Sequence, residues 1–289
     1  MRLSDSDDDT VATERGEQTP AELERSPVET GHRSPDRSAL GPVEFVDRVG
    51  GYLEDDPDAA ANAIGDLLAI ARDEEGAARV AAGEALDAIG RRQPSAFEVW
   101  TEPVVAAARS GDEDVSFFGL RALAQLAGAN PRAAGKGLDV ALGSLGSASP
   151  DIRQAAISVL AEVGPVDPDA VKRADRPLAE ALRAGDENVR TAAAIAAGRL
   201  LGAAPNKFPR TATALLDVLD DEAARPREFA HVALANFARE HPDNVPQKAR
   251  ALSALAGVTD DGLGLRRGTV GEAMTALVSL EFEEDAAAG

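Results

Sequence analysis

Six prolines mark the chain at one constant step: Pro57, Pro94, Pro131, Pro168, Pro205 and Pro242 follow one another every 37 residues. A single globular core has no use for such a ruler. A tandem array does, because proline cannot continue a helix and stops each repeat at the same point. A period of this length restricts the chain to a solenoid, a propeller or a similar array.

Other columns decide among these. Eight residues before each proline stand Val49, Leu86, Leu123, Leu160, Ala197 and Leu234. Five before stand Tyr52, Ile89, Leu126, Val163, Leu200 and Phe237. Twelve before stand Phe45, Ala82, Gly119, Ala156, Ala193 and Ala230. The offsets are four and three, so the columns share one face of a helix. An earlier helix in each repeat carries Leu67, Val104, Ala141, Leu178, Leu215 and Leu252, and four residues on Ala71, Ala108, Leu145, Leu182, Leu219 and Ala256. Short polar turns separate the two helices, as at Gly111-Asp112-Glu113-Asp114 and Gly185-Asp186-Glu187-Asn188. There Gly can end one helix and Asp can cap the next. No strand pattern interrupts the scheme. The predicted fold class is therefore all-α, an α-solenoid of helical hairpins with a 37-residue period.

The array is predicted to occupy residues 42–282. Residues 1–41, acidic and poor in large apolar side chains, are expected to be disordered, and so is a short tail at 283–289. The first unit, 42–55, reads as a lone capping helix with Phe45, Val49 and Tyr52 in register. The last has a longer turn from Thr259 to Gly264, after which a three-residue shift brings Arg267, Val270, Met274 and Leu277 into the pattern.

Just inside the second helix runs a recurring pair followed by small and apolar residues: Ile152-Arg153, Ala156, Leu160, then Val189-Arg190, Ala193, Ala197. With the preceding Asp151 or Asn188, this resembles the second-helix signature of HEAT repeats, a family of the armadillo-like helical class. The resemblance covers about residues 42–282. It implies a right-handed superhelix whose second helices line the concave face, and a role in protein binding. It also implies that the Arg column, Arg79, Arg153, Arg190 and Arg227, pairs with the Asp or Asn of an adjacent turn and ties repeats together. A phosphate-gripping ladder is the alternative. Ser116 interrupts the column. Tetratricopeptide repeats have a similar period, but their Trp-x-x-Leu-Gly-x-x-Tyr pattern is absent.

Enzyme chemistry finds little purchase. There is no cysteine, so disulfides, thiolate metal sites and a cysteine nucleophile are excluded. His32, His231 and His241 share no metal-ligand spacing on a helix. HEAT-repeat deoxyhypusine hydroxylase uses His-Glu pairs, and no such dipeptide occurs. DNA-repair glycosylases of this architecture use a basic, aromatic-lined groove, whereas here the single Trp is Trp100 and the array is acidic. A HEAT-like lyase would need a repeated polar pocket, and none is seen. The expectation is a non-enzymatic protein without cofactor or metal.

The net charge is −20. Lys136, Lys172, Lys207 and Lys248 are the lysines among 30 Lys+Arg, which leaves 26 Arg. This acidic, lysine-poor, alanine-rich balance resembles proteins of extreme halophiles. At about 1 M salt the Debye length is roughly 3 Å, so such a charge neither steers nor repels a partner at a distance. A nucleic-acid partner, the weaker alternative, therefore fits only at high salt. The first residues lack the apolar core of a signal peptide, and no apolar run reaches about 18 residues. A cytoplasmic protein without membrane association is expected.

The outward face of the second helices is the place for a partner. Fourteen residues before the prolines it shows Val80, Phe117, Gln154, Thr191 and Glu228, and ten before, Glu84, Arg121, Ser158, Ile195 and Val232. A large aromatic facing outward is typical anchor material. Phe117, Arg121, Gln154, Ser158 and Thr191 are the candidate residues for binding a protein or peptide segment. The competing reading packs Phe117 between repeats, beside Phe118.

Overall fold

A computed structural model of the chain describes residues 36–288, with side chains described as far as Leu280. The first 35 residues of the segment expected to be disordered, His32 among them, lie outside the described residues. Residues 36–41 form structure: Arg37–Ala39 make one 3-10 turn capped by the Asp36 carboxylate, and Leu40 packs against the core.

The helices alternate in type. α1 spans Pro42–Asp55. It is followed by α2 (Ile64–Asp73) and α3 (Ala77–Arg92), α4 (Thr101–Ala108) and α5 (Glu113–Ala129), α6 (Leu138–Ser144) and α7 (Pro150–Val163). Then come α8 (Asp175–Ala181) and α9 (Glu187–Ala203), α10 (Pro209–Val218) and α11 (Ala224–Glu240), and last α12 (Lys248–Ala256) and α13 (Thr269–Ala288). The odd helices are the second helices of the repeats. They pack side by side in chain order, α1 on α3 and so on to α13, and each even helix packs on the odd helix that follows it. α13 runs past residue 282, so the tail expected at 283–289 is helical as far as Ala288.

Each of the six prolines opens a short helical segment: Pro57–Asn62, Pro94–Trp100, Pro131–Ala134, Pro168–Val171, Pro205–Lys207 and Pro242–Asn244. The preceding residue cannot stay helical, because the proline ring crowds its backbone. It is accordingly outside the helical region in every repeat, with φ between −137° and −157° and ψ between 55° and 84° from Asp56 to His241. That is what ends each odd helix except α7, which stops at Val163, two residues before Pro165. Asp56, Asn130 and Asp167 also accept a hydrogen bond from the amide three residues on, which caps the new turn. A proline turn therefore precedes each even helix, and it runs on into that helix without a break at Thr101, Leu138 and Asp175.

The eight-before and twelve-before columns are buried in all six repeats, and the five-before column in all but the first, where Tyr52 is half-buried. Small residues in the twelve-before column allow close helix approach. At Gly119 a Cβ would lie 2.1 Å from the Ala108 amide nitrogen, so α4 and α5 touch backbone to backbone. The even-helix columns are buried except at the C-terminal end, where Leu252 is half-buried and Ala256 exposed. In α13, as far as Leu280, the buried positions are Thr269, Val270, Ala273 and Leu277, with Met274 on the flank. Its start is pinned by Asp260, whose carboxylate accepts from the Gly268 and Val270 amides at 2.7 and 2.8 Å. Those two amides hold the Asp260 carboxyl below the usual carboxylate range.

Candidate functional site

Four of the five candidate residues come together. Phe117 and Arg121 on α5 and Gln154 and Ser158 on α7 line one groove of about 250 Å³, closed by Ala124, Gln125, Asp151, Ala155 and Glu162. Each helix contributes positions four apart, which stack on one face. Thr191 does not join them. It is 5% exposed and its hydroxyl donates to the Glu187 carbonyl at 2.8 Å.

Arg121 is held from two sides. Its Nε and Nη2 donate to Asp87 Oδ1 on α3 at 3.2 and 2.5 Å, and Asp87 also receives Arg91. Its Cζ lies 5.7 Å from the Phe117 ring centroid, within cation–π range. Phe117 is half-buried, packs against the core and stands 5.4 Å from the Phe118 ring. It therefore packs on the core and lines the groove at once. Phe118 lies across Gly83, where any Cβ would strike its ring. Ser158 donates to the Gln154 carbonyl at 3.0 Å, so its hydroxyl is bonded to its own helix.

A second depression lies between α9 and α11. It has a volume of about 560 Å³ and is walled by Ile195, Phe229 and Val232, with Pro165 at one end and Gly198 and Gly202 in its floor. Ile195 and Phe229 are each 36% exposed and share this one depression. The two depressions are separated by an ion pair between Glu162, which lines the first, and Arg199, which lines the second. The sequence columns chosen for the site missed Gln125, Glu162, Arg199 and Asn236. These four stand six residues before successive prolines, so the same ruler marks them.

The Arg column points into the turns. Arg190 Nε and Nη2 grip both oxygens of Asp221 at 2.6 and 2.9 Å, and its Nη1 donates to the Ala184 and Gly185 carbonyls. Arg79 reaches Asp112 of the following turn at 2.8 Å and the Glu74 carbonyl. Arg153 donates to the Ser147 and Ala148 carbonyls, and Arg227 to those of Asp221 and Glu222. Where Ser116 interrupts the column, its hydroxyl donates to the Ala108 carbonyl at 2.9 Å, beside the close contact at Gly119.

His231 is buried with Nδ1 2.9 Å from the Arg227 carbonyl, and His241 Nε2 is 2.8 Å from the Gly202 carbonyl. Both face backbone within or between repeats. Among the described residues no three His, Asp or Glu side chains are grouped to hold a metal ion, and no helix is long and apolar enough to cross a membrane.

Stacked helical hairpins with one shared buried stripe define an α-solenoid. Residues 138–235 match the family model described as HEAT repeats, and the described residues as a whole form an all-α repeat array. No curated protein matches the sequence. Among solved structures it is similar to an engineered protein at TM-score 0.63 and 19% identity, over 81% of this chain and 64% of that one. The chain thus spans a little less than two thirds of that protein's length. A designed armadillo repeat protein in complex with the peptide (KR)4 gives TM-score 0.57 at 19% identity, over 73% of this chain and 98% of that one. Computationally designed armadillo repeat proteins for modular peptide recognition give 0.50 at 18% identity, over 80% and 98%. These likenesses concern the fold alone.

Proposed function

We propose that the protein is a non-enzymatic scaffold that binds a segment of a protein partner against its odd helices, on the concave face of the array. One observation carries this reading: Phe117, Arg121, Gln154 and Ser158 come from two repeats yet line one groove. A half-exposed aromatic beside a fixed guanidinium is the kind of anchor on which interfaces depend. The designed armadillo proteins support a peptide-binding use of such a face. The (KR)4 peptide of one of them is a poor guide to the ligand, because this groove presents Arg121. Arg79, Arg153, Arg190 and Arg227 have their guanidinium groups engaged in the turns and act as a structural ladder. The −20 charge fits a cytoplasm of high ionic strength, where it keeps the surface solvated without governing partner choice.

The test is affinity purification from lysate at molar salt, wild type against the Phe117→Ala/Arg121→Ala double variant. The variant is expected to lose the specific partner while its far-UV circular dichroism is unchanged. Recovery of the same partners by a folded double variant would overturn the site.

A further inference from the structure

We infer that the partner segment is an extended peptide with two anchors: a carboxylate that meets Arg121 in the α5–α7 groove, and a large aliphatic or aromatic side chain that fills the α9–α11 trough. This rests on the scaffold reading and names the chemistry of its partner.

The first anchor follows from how Arg121 is held. Nε and Nη2 share a single oxygen of Asp87, which occupies one side of the planar guanidinium. Nη1 has no partner among the described residues and belongs to a side chain that lines the groove. Because Asp87 is shared with Arg91, two positive charges meet one negative and the cluster carries +1 within a strongly acidic chain. A guanidinium fixed by an acid on one edge and an aromatic ring on its face is pre-organised for a carboxylate on its remaining edge. The other charged groups of the groove sharpen the position. Glu162 is neutralised by Arg199, and Asp151, exposed on the α7 wall, repels a carboxylate towards the α5 wall where Arg121 stands.

The second anchor follows from the trough. Ile195, Phe229 and Val232 line it, while Gly198 leaves its floor without a side chain. A Cβ at Gly198 would approach that of Ala233 to 3.0 Å, so α9 and α11 lie close there and the space above them is open. The Glu162–Arg199 pair between the two sites gives the intervening peptide a polar, neutral surface to cross.

The spacing is set by the array. The two depressions lie two helix intervals apart, about 16–20 Å. An extended chain rises about 3.3 Å per residue, so the two anchors are about six residues apart.

The experiment is a selection of displayed random peptides, about twelve residues long to span that distance, on the full-length protein. Binding of the synthetic consensus peptide is then measured by fluorescence anisotropy. The expected consensus has Asp or Glu about six positions from Leu, Ile, Phe or Met. Its affinity should fall about tenfold with Arg121→Gln and about tenfold with Ile195→Ser/Phe229→Ser. Equal losses should follow on the wild-type protein when the peptide's acid becomes its amide or its apolar residue becomes Ala, which removes any dependence on variant folding. A peptide sensitive to Arg121 but not to the trough would overturn the two-anchor inference and leave the scaffold reading standing. No enrichment, or a peptide indifferent to both sites, would overturn both. A basic consensus would also sink the inference. So would a consensus matching residues 1–35 of this chain, which makes the occupant its own N-terminal segment, or a dimer that the trough substitutions dissociate, which makes it a second copy.

Discussion

Arg190 on α9 holds Asp221 in the following turn by two parallel hydrogen bonds of 2.6 and 2.9 Å, with the two side chains 17% and 9% exposed. The Arg190 guanidinium holds the Asp221 carboxyl below the usual carboxylate range, with help from the Ala223 amide, and Asp221 in turn raises the Arg190 guanidinium. A carboxylate whose folded value is depressed contributes stability that is fully present above its unfolded value, about 3.9, and lost as pH falls through the folded value. Wild type is therefore expected to lose stability below about pH 4. Asp221→Asn should lower stability at neutral pH by roughly 1.5–3 kcal/mol, the range for hydrogen bonds to charged groups, and flatten the acid limb. Urea unfolding at neutral pH and near pH 3 measures both; an unchanged acid limb would remove Asp221 from the account.

Two glycines of α5 predict opposite outcomes. Gly119→Ala places a methyl 2.1 Å from the Ala108 nitrogen and 2.5 Å from the Ala107 carbonyl carbon. Backbone cannot yield as a side-chain end can, so the two helices must separate, at a cost of about 2–4 kcal/mol. Gly128→Ala meets nothing within 4 Å and gains helix propensity, so it should stabilise by about 0.5–1 kcal/mol. The difference between their denaturation midpoints is the readout.

Asp260 anchors the start of α13 through two backbone amides. Asp260→Asn keeps the shape and removes the charge that those amides favour. Hydrogen exchange should show lost protection at Gly268 and Val270 and little change in α5 or α7. A uniform loss across the array would instead tie Asp260 to global stability.

Excising residues 132–168 joins Pro131 to Asp169 one period on. The product should remain helical and unfold cooperatively at a lower denaturant concentration, because stability in repeat arrays is close to a sum of repeat and neighbour terms. Loss of all cooperative structure would contradict the array.

The buried side of the molecule was legible because it obeys one rule: positions five, eight and twelve before each proline lie on one helical face, and from Val49 to Leu234 the middle column is buried throughout. The exposed side was only partly legible. Thr191 shares its column with Phe117 and Gln154, yet it is buried where odd helices pack side by side, and an isolated helix does not show its neighbours. Arg199 with Arg121 gave only a hint of a basic stripe, and Glu162 escaped notice because a lone Glu on an outward face reads as solvated surface and its pairing with Arg199 across two repeats is a tertiary fact. The proline turns were visible as punctuation. The change of helix type between them and the even helices was not, because both pieces are helical and little in composition divides them.

The Arg ladder, finally, is not uniform. Arg79 and Arg190 cross to a carboxylate in the next turn, whereas Arg153 and Arg227 bond to backbone of the turn before their own helix and Ser116 to the last residue of α4. The cross-repeat pairs bridging the middle repeats through the even-helix side, Lys136–Glu102 and Arg173–Asp139, are at least 60% exposed and so hold weakly. The array is therefore stapled between α3 and α5 and between α9 and α11, while the ladder leaves the α5–α7 interval without a staple. Under a bending load it yields first where the groove lies, so a bound segment would report as a stiffening of the whole rod.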